Sequence, residues 1–280
     1  MKLGRFGVWT AFRLIGRENG PRAAVLAENL GYGTFWLGGS PRLRDVRPLL
    51  EATDRIAVAT GIVNVWDYEP SRLAKEYAEL ASEFGGRLLV GIGIGHREAT
   101  EEYRRPLTTM REFLDGIDAI HAPIPADRRC VAALGPKMLG LATERSLGPA
   151  PYFVPVEHTV AARQEIGDGA WLAPELAFQL GSGPDRHSAR TYAAKYLALE
   201  NYAANLRRFG FDDEDLEGGG SDRLLDALVP QGEAAHIALA AHSHLEAGAD
   251  HVALQPVGVA GVPSQEWTEI ADALELRAEA

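Results

Sequence analysis

Short apolar runs alternate with longer amphipathic stretches along the chain, and this alternation limits the fold more than any other feature. The runs are Arg5 to Trp9, Thr34 to Leu37, Ile56 to Val65, Arg87 to Ile94, Arg129 to Leu134 and Tyr152 to Val156. One more begins at Trp171 to Ala173, and the last is His251 to Pro256. Most are followed by apolar residues at helical spacing. Pro21 opens the first such stretch, with Val25, Ala27 and Leu30 inward, and Gly31 and Gly33 stop it. Proline just inside the start and glycine past the end is the asymmetry of a helix. Leu43 to Thr53 reads as the second helix. Ser71 is placed to cap the third, where Leu73, Tyr77, Leu80, Ala81 and Phe84 share a face and Gly85-Gly86 ends the pattern. Tyr103 to His121, Pro136 to Leu147 and Ser264 to Ala278 continue the series. A long polar helical segment covers Arg186 to Phe209 and Ser221 to Gly248. Its middle, Asp212 to Gly220, reads as an acidic glycine-rich loop before a helix capped by Ser221.

Repeated strand and helix units predict a parallel α/β fold. The solidly apolar Ala57 to Val65 fits a strand buried on both faces. No stretch reads as a linker, and 280 residues suit one (β/α)8 TIM barrel, which needs about 250. The expectation is a single barrel over residues 1–280 rather than a doubly wound sheet with a second domain.

Charge and cysteine content narrow the partners. Lys+Arg is 28 against Asp+Glu 39, a net −11 that repels a nucleic-acid backbone. No apolar run approaches the ~18 residues of a membrane span, and Met1 to Phe6 lacks the apolar core of a signal peptide. Cys130 is the only cysteine, so no intramolecular disulfide forms, and a cytoplasmic location is expected. A small-molecule substrate is the expected partner.

Several motifs carry chemistry. Gly91-Ile92-Gly93-Ile94-Gly95-His96 looks like a dinucleotide fingerprint but has histidine where the last glycine belongs. Its alternating glycines instead let something flat approach a barrel strand, or serve tight packing. Ala132 to Met138 joins a strand end to a helix start. The free N–H groups there, with Lys137, form a candidate phosphate site or a plain helix N-terminus. Gly61 and Asn64 interrupt an apolar run, as a bulge, a strained turn or a capped strand end would. His96 and His158 follow strand ends, the rim where barrel sites form, whereas His187 and His236 read as helix-surface residues. His242 and His244 are two apart on a helix and face different ways, so they cannot share a metal there. His-Glu-x-x-His and Gly-x-Ser-x-Gly do not occur, which leaves zincin and α/β-hydrolase readings unsupported.

Phe6-Gly7-Val8-Trp9, Gly31 to Gly38, Ala59 to Asn64, Gly91 to His96, Ala133 to Met138 and Ala247 to Val252 occur in order. As a set they resemble the bacterial luciferase-like monooxygenase superfamily, most closely its actinobacterial branch of coenzyme F420 (deazaflavin) oxidoreductases. The resemblance covers nearly the whole chain. It implies a (β/α)8 barrel with the cofactor at the C-terminal strand ends. It also implies a non-proline cis peptide behind the ring, here Gly61-Ile62, and a phosphate-bearing tail held by Gly135, Pro136, Lys137 and Met138. Gly38, Asn64, Gly95 and His158 complete the expected cofactor site, with no metal. Relatives that oxidise alcohols or sugar phosphates place a His after strand two and a Glu after strand four. This chain has Gly38-Gly39-Ser40 and His96 with Glu98 instead. His96 is thus the expected proton donor or acceptor, and an open Gly38-Gly39 edge is expected to admit a bulkier substrate. The shortness of the chain suggests a lid insertion missing near Ala122 to Arg128, hence a more open pocket. The resemblance implies hydride transfer between F420 and a small organic substrate. An FMN-dependent monooxygenase with a separate reductase, and a barrel that binds flavin or deazaflavin without turnover, are the alternatives. A homodimer is the commonest assembly of relatives.

Overall fold

Parallel strands alternate with helices in the computed structural model, which describes residues 1–99, 101, 103–181 and 186–276. The strands are β1 (Phe6–Thr10), β2 (Thr34–Gly38), β3 (Ala57–Gly61), β4 (Val63–Asn64), β5 (Leu88–Gly93), β6 (Arg129–Val131), β7 (Glu175–Leu180), β8 (Gln231–Gly232) and β9 (Val252–Pro256). The helices of the first half are α1 (Phe12–Ile15), α2 (Gly20–Asn29), α3 (Arg47–Ala52), α4 (Pro70–Glu83), α5 (Pro106–Asp118) and α6 (Pro136–Arg145). Those of the second half are α7 (Val156–Ile166), α8 (His187–Leu197), α9 (Glu200–Arg208), α10 (Asp213–Leu216), α11 (Asp222–Leu228), α12 (Ala234–Glu246) and α13 (Ser264–Ala273).

The hydrogen bonds run round a ring. β1 pairs in parallel with β2 and β9, β2 with β3, β3 with β5, β5 with β6, and β9 with β7. The segment 147–151 closes the gap between β6 and β7. On one side Ala150 N donates to Val131 O at 2.9 Å, and on the other Trp171 N donates to Leu147 O at 3.0 Å and Glu175 N to Pro151 O at 2.9 Å. The result is a (β/α)8 TIM barrel.

The structure corrects several elements. The sixth strand lies at 147–151 rather than Tyr152 to Val156, and reduces to one bridge between Val131 and Pro149. Pro149 and Pro151 have no N–H to donate, so a regular ladder cannot form, and Val156 already begins α7. The third apolar run splits into β3 and β4 at a cis Gly61-Ile62 bond, the bond the resemblance implied. Ser71 does not cap α4, because Pro70 starts that helix with Glu69 in the capping position. Leu43 to Val46 is 3-10 helix ahead of α3. β8 interrupts what reads as continuous helix, since Pro230 precedes it and Gly232 takes φ 121°. Asp212 to Gly220 is partly helical, and Ser221 does cap α11, accepting from Leu224 N. The C-terminal helix ends at Ala273, and residues 277–278 of the expected helix lie outside the described residues.

Two cores result. Trp9, Trp36, Ala59, Leu89, Cys130 and Ala253 pack inside the ring. Between ring and helices lie Val8, Phe35, Val58, Val90, Leu114 and Trp267 among others. The interior also holds buried polar groups. Trp36 Nε1 donates to His251 Nε2 at 3.0 Å, and Trp171 stacks on Trp36 with ring centres 6.2 Å apart. Burial pushes the Cys130 thiol up to about 12, which leaves it unreactive. His244 is buried against Thr159 at 2.8 Å, while His242 packs edge-on to Phe6, so the two point apart. Among the described residues no helix is long and apolar enough to cross a membrane.

Candidate active site

The C-terminal strand ends open on a cavity of about 470 Å³, a volume typical of small-molecule sites. One wall is glycine and alanine around the side chain of Ile62, which lies against Gly93: Gly61, Ile62, Gly93, Gly95, Ala132 and Ala133. The opposite side comes from the long connection after β7, through Tyr196 of α8 and Asn201, Tyr202, Asn205 and Arg208 of α9. The long connection after β7 thus covers the cavity from this side. The segment Ala122 to Arg128 instead leads into the N-terminal end of β6, at the far side of the barrel from the cavity.

The expected site residues divide. Gly61, Ile62, Gly95, His96, Gly135 and Met138 line the cavity. Gly38 does not, because a Cβ built there would sit inside the Trp9 indole. Glycine at that position makes room for tryptophan, not for substrate, and the bare edge is Gly39 and Ser40 next to Arg13. Asn64 also stays out of the wall: its Oδ1 accepts from Trp66 N at 3.2 Å and caps a turn. Pro136 opens α6 and is exposed, as is Lys137 beside it. His158 belongs to α7, is 1 % exposed, and spends Nε2 on Leu134 O at 2.9 Å. Its side chain ties α7 to the loop behind the wall, because helix α7 starts two residues before it.

Arg208 takes the position expected of Lys137. It lines the cavity facing Gly135, with Nη1 3.8 Å from where a Cβ of that glycine would be. The same guanidinium reaches Asn205 Oδ1 at 3.4 Å, and the buried Asn205 Nδ2 is left without a partner. A donor amide, a cation and the N-terminus of α6 thus meet at one end of the cavity. A buried unpaired donor costs about 1–3 kcal/mol, and an anionic group placed there would satisfy it.

His96 sits where wall meets roof. Its Nδ1 is 3.2 Å from Asn201 Oδ1. With that oxygen as acceptor, Nδ1 carries the hydrogen and Nε2 the lone pair. Burial lowers its pKa, although the Asn201 bond and nearby Glu98 oppose this, so the ring is neutral at pH 7. Glu98 is exposed and caps α9 by accepting from Glu200 N at 3.2 Å.

Residue patterns in the sequence did not point to the acid at the cavity floor. Glu175 is 4 % exposed, and burial raises its pKa to about 8, with the Phe153 N–H and the Tyr192 hydroxyl opposing. Tyr192 lies 3.2 Å from Glu175 Oε1 and 3.0 Å from the Tyr152 hydroxyl, and Tyr152 meets Tyr196 at 2.8 Å. The signal available was a lone carboxylate entering an apolar strand, Pro174-Glu175-Leu176-Ala177-Phe178.

A family model described as luciferase-like monooxygenase matches residues 5–242. Among solved structures, an F420-dependent secondary alcohol dehydrogenase in complex with an F420-acetone adduct aligns over 99% of both chains at 14% identity and a TM-score of 0.76. The coenzyme F420 dependent tetrahydromethanopterin reductase from Methanopyrus kandleri aligns over 98% of this chain and 99% of its own, at 17% identity and 0.78. The FMN-complexed oxygenating constituent of 3,6-diketocamphane monooxygenase from Pseudomonas putida aligns over 97% and 96%, at 16% identity and 0.64. At these identities the likeness is one of fold.

Proposed function

The chain belongs to the luciferase-like monooxygenase family of oxidoreductases, and from that premise we propose that it is a coenzyme F420-dependent oxidoreductase acting on a small organic substrate in the roofed cavity. The observation that carries the reading is the juxtaposition of a flat, bare wall with an anion cradle. Gly61, Ile62, Gly93 and Ala132 leave a smooth face for a tricyclic ring. Arg208, the unpaired Asn205 amide and the first turn of α6 suit the phosphate of its tail. The ordered motifs of the F420 branch, and the two F420-dependent proteins among the structural relatives, support the same cofactor. When bound, F420 supplies two-electron hydride chemistry.

The chain's own residues do the rest. Arg208 neutralises the tail against a protein that carries net −11. The roof of α8 and α9 covers one side of the cavity opposite the wall. His96, neutral and with Nε2 unprotonated, takes a proton from the substrate in one direction and returns it in the other.

Titrating the purified protein with F420 and with FMN, and following quenching of each ring's fluorescence, tests the reading. Tight F420 binding that weakens in Arg208→Ala is the expected result. Preference for FMN makes the protein a monooxygenase of the two-component kind. Binding of both without hydride transfer to any ketone, enone or nitro compound makes it a carrier. A dimer, as expected from relatives, is checked by sedimentation.

A further inference from the structure

The roof of the cavity holds a hydrogen-bond donor with no partner among the described residues. Tyr202 is 5 % exposed and lines the cavity, and its hydroxyl has no partner among the described residues. Its neighbour Tyr196 is placed the other way. Tyr152 donates its one hydroxyl proton to Gln255 Oε1 at 2.8 Å. The 2.8 Å contact between Tyr152 and Tyr196 must then use the proton of Tyr196. Tyr196 therefore turns only lone pairs toward anything else.

The rings that carry this unspent donor and this free acceptor are in edge-to-face contact, with centres 5.6 Å apart and planes at 89°. A carbonyl oxygen would satisfy Tyr202 alone. A hydroxyl group satisfies both, accepting from Tyr202 and donating to Tyr196. The surrounding walls are aromatic: Trp9, Trp36 and Tyr152 line the same cavity. The His96 ring lies 5.2 Å from that of Tyr202 and lines the same cavity.

We propose that Tyr202 and Tyr196 form a subsite for the hydroxyl group of a flat aromatic substrate, a phenol. This names a substrate class for the cavity assigned above and rests on that assignment. Both tyrosines touch the ligand directly. Glu175 and Tyr192 act through Tyr152 and position it.

The probe pair is p-cresol and p-methylanisole, which differ in one methyl on the oxygen. Calorimetric titration of the full chain, with and without F420, reads both affinities. The expected result is about tenfold tighter binding of p-cresol, the size of one well-made hydrogen bond. Tyr202→Phe, which breaks no internal hydrogen bond, is expected to bring the two affinities together. Tyr196→Phe is expected to shrink the ratio as well and serves as the second variant. Equal binding of the two probes, no binding of either, or a ratio unchanged in Tyr202→Phe overturns the subsite. F420 binding is read separately by fluorescence. Loss of the cresol preference with F420 still bound removes only the subsite. A preserved preference without F420 binding removes the cofactor assignment and leaves the subsite standing.

Discussion

The two sides of the cavity are built on opposite principles. The wall from β3 to α6 uses short connections, glycine and alanine, and presents backbone. The roof, from α8 and α9, uses a long connection and presents phenols, amides and a guanidinium. A wall of bare backbone can accept any flat ring but chooses little. A roof of directed donors and acceptors chooses by hydrogen bonds, which reject a wrong partner far more strongly than apolar contact does. On the proposed reading the cofactor lies against the wall and selectivity comes from the roof.

The largest effect that would sharpen this is at Gly38. Gly38→Leu is expected to unfold or severely destabilise the protein, by about 3 kcal/mol or more, because the side chain collides with Trp9. Thermal melting checks it, and a folded variant with altered substrate choice would instead return selectivity to the wall. At the junction, His96→Gln is expected to lower turnover by about 10²–10⁴ with little change in cofactor affinity. Pre-steady-state hydride transfer and fluorescence titration separate the two quantities. On the roof, Arg208→Ala is expected to weaken F420 by about 10- to 100-fold, the value of a charged hydrogen bond. Lys137→Ala, at an exposed position, is expected to change it by about twofold or less.

Buried titratable groups predict how stability follows pH. Burial lowers His158, His244 and His251 from 6.5 to about 4 each. Over that interval the unfolded chain binds more protons, so stability falls as pH drops from about 6.5 to about 4. Burial raises Glu175 from 4.5 to about 8. There the folded chain binds more protons, so stability falls as pH rises from about 4.5 to about 8. Between 4.5 and 6.5 the three imidazoles outweigh the one carboxyl, and the maximum is expected near pH 6.5 in urea titrations. Glu175→Gln is expected to flatten the alkaline limb, which has a slope of up to about 1.4 kcal/mol per pH unit. An unchanged limb would mean that Glu175 is ionised and that the roof is charged at its base. Asn64→Ala is expected to cost about 1 kcal/mol from a lost cap, read by thermal melting, with no change in ligand binding.

The sequence by itself determined the barrel. Short apolar runs, 3.6-period helices, and proline and glycine at their boundaries are local signals, and they marked most strands within a few residues. They also marked Gly61-Ile62, Gly95, His96 and Gly135, because a backbone that must lie bare needs small residues at fixed places along one strand. Local signals failed where a role depends on what a residue meets. Gly38 faces Trp9 from the neighbouring strand, His158 turns away inside a helix, and Lys137 points outward while Arg208 arrives from 71 positions further along. Glu175, Tyr152, Tyr192, Tyr196 and Tyr202 come from three separate stretches of chain, and no spacing announces them. Only the closure of the ring and the folding of α8 and α9 over its mouth brought these groups within hydrogen-bond reach. A hydrogen bond needs two groups about 3 Å apart, and separation along the chain carries no record of that distance.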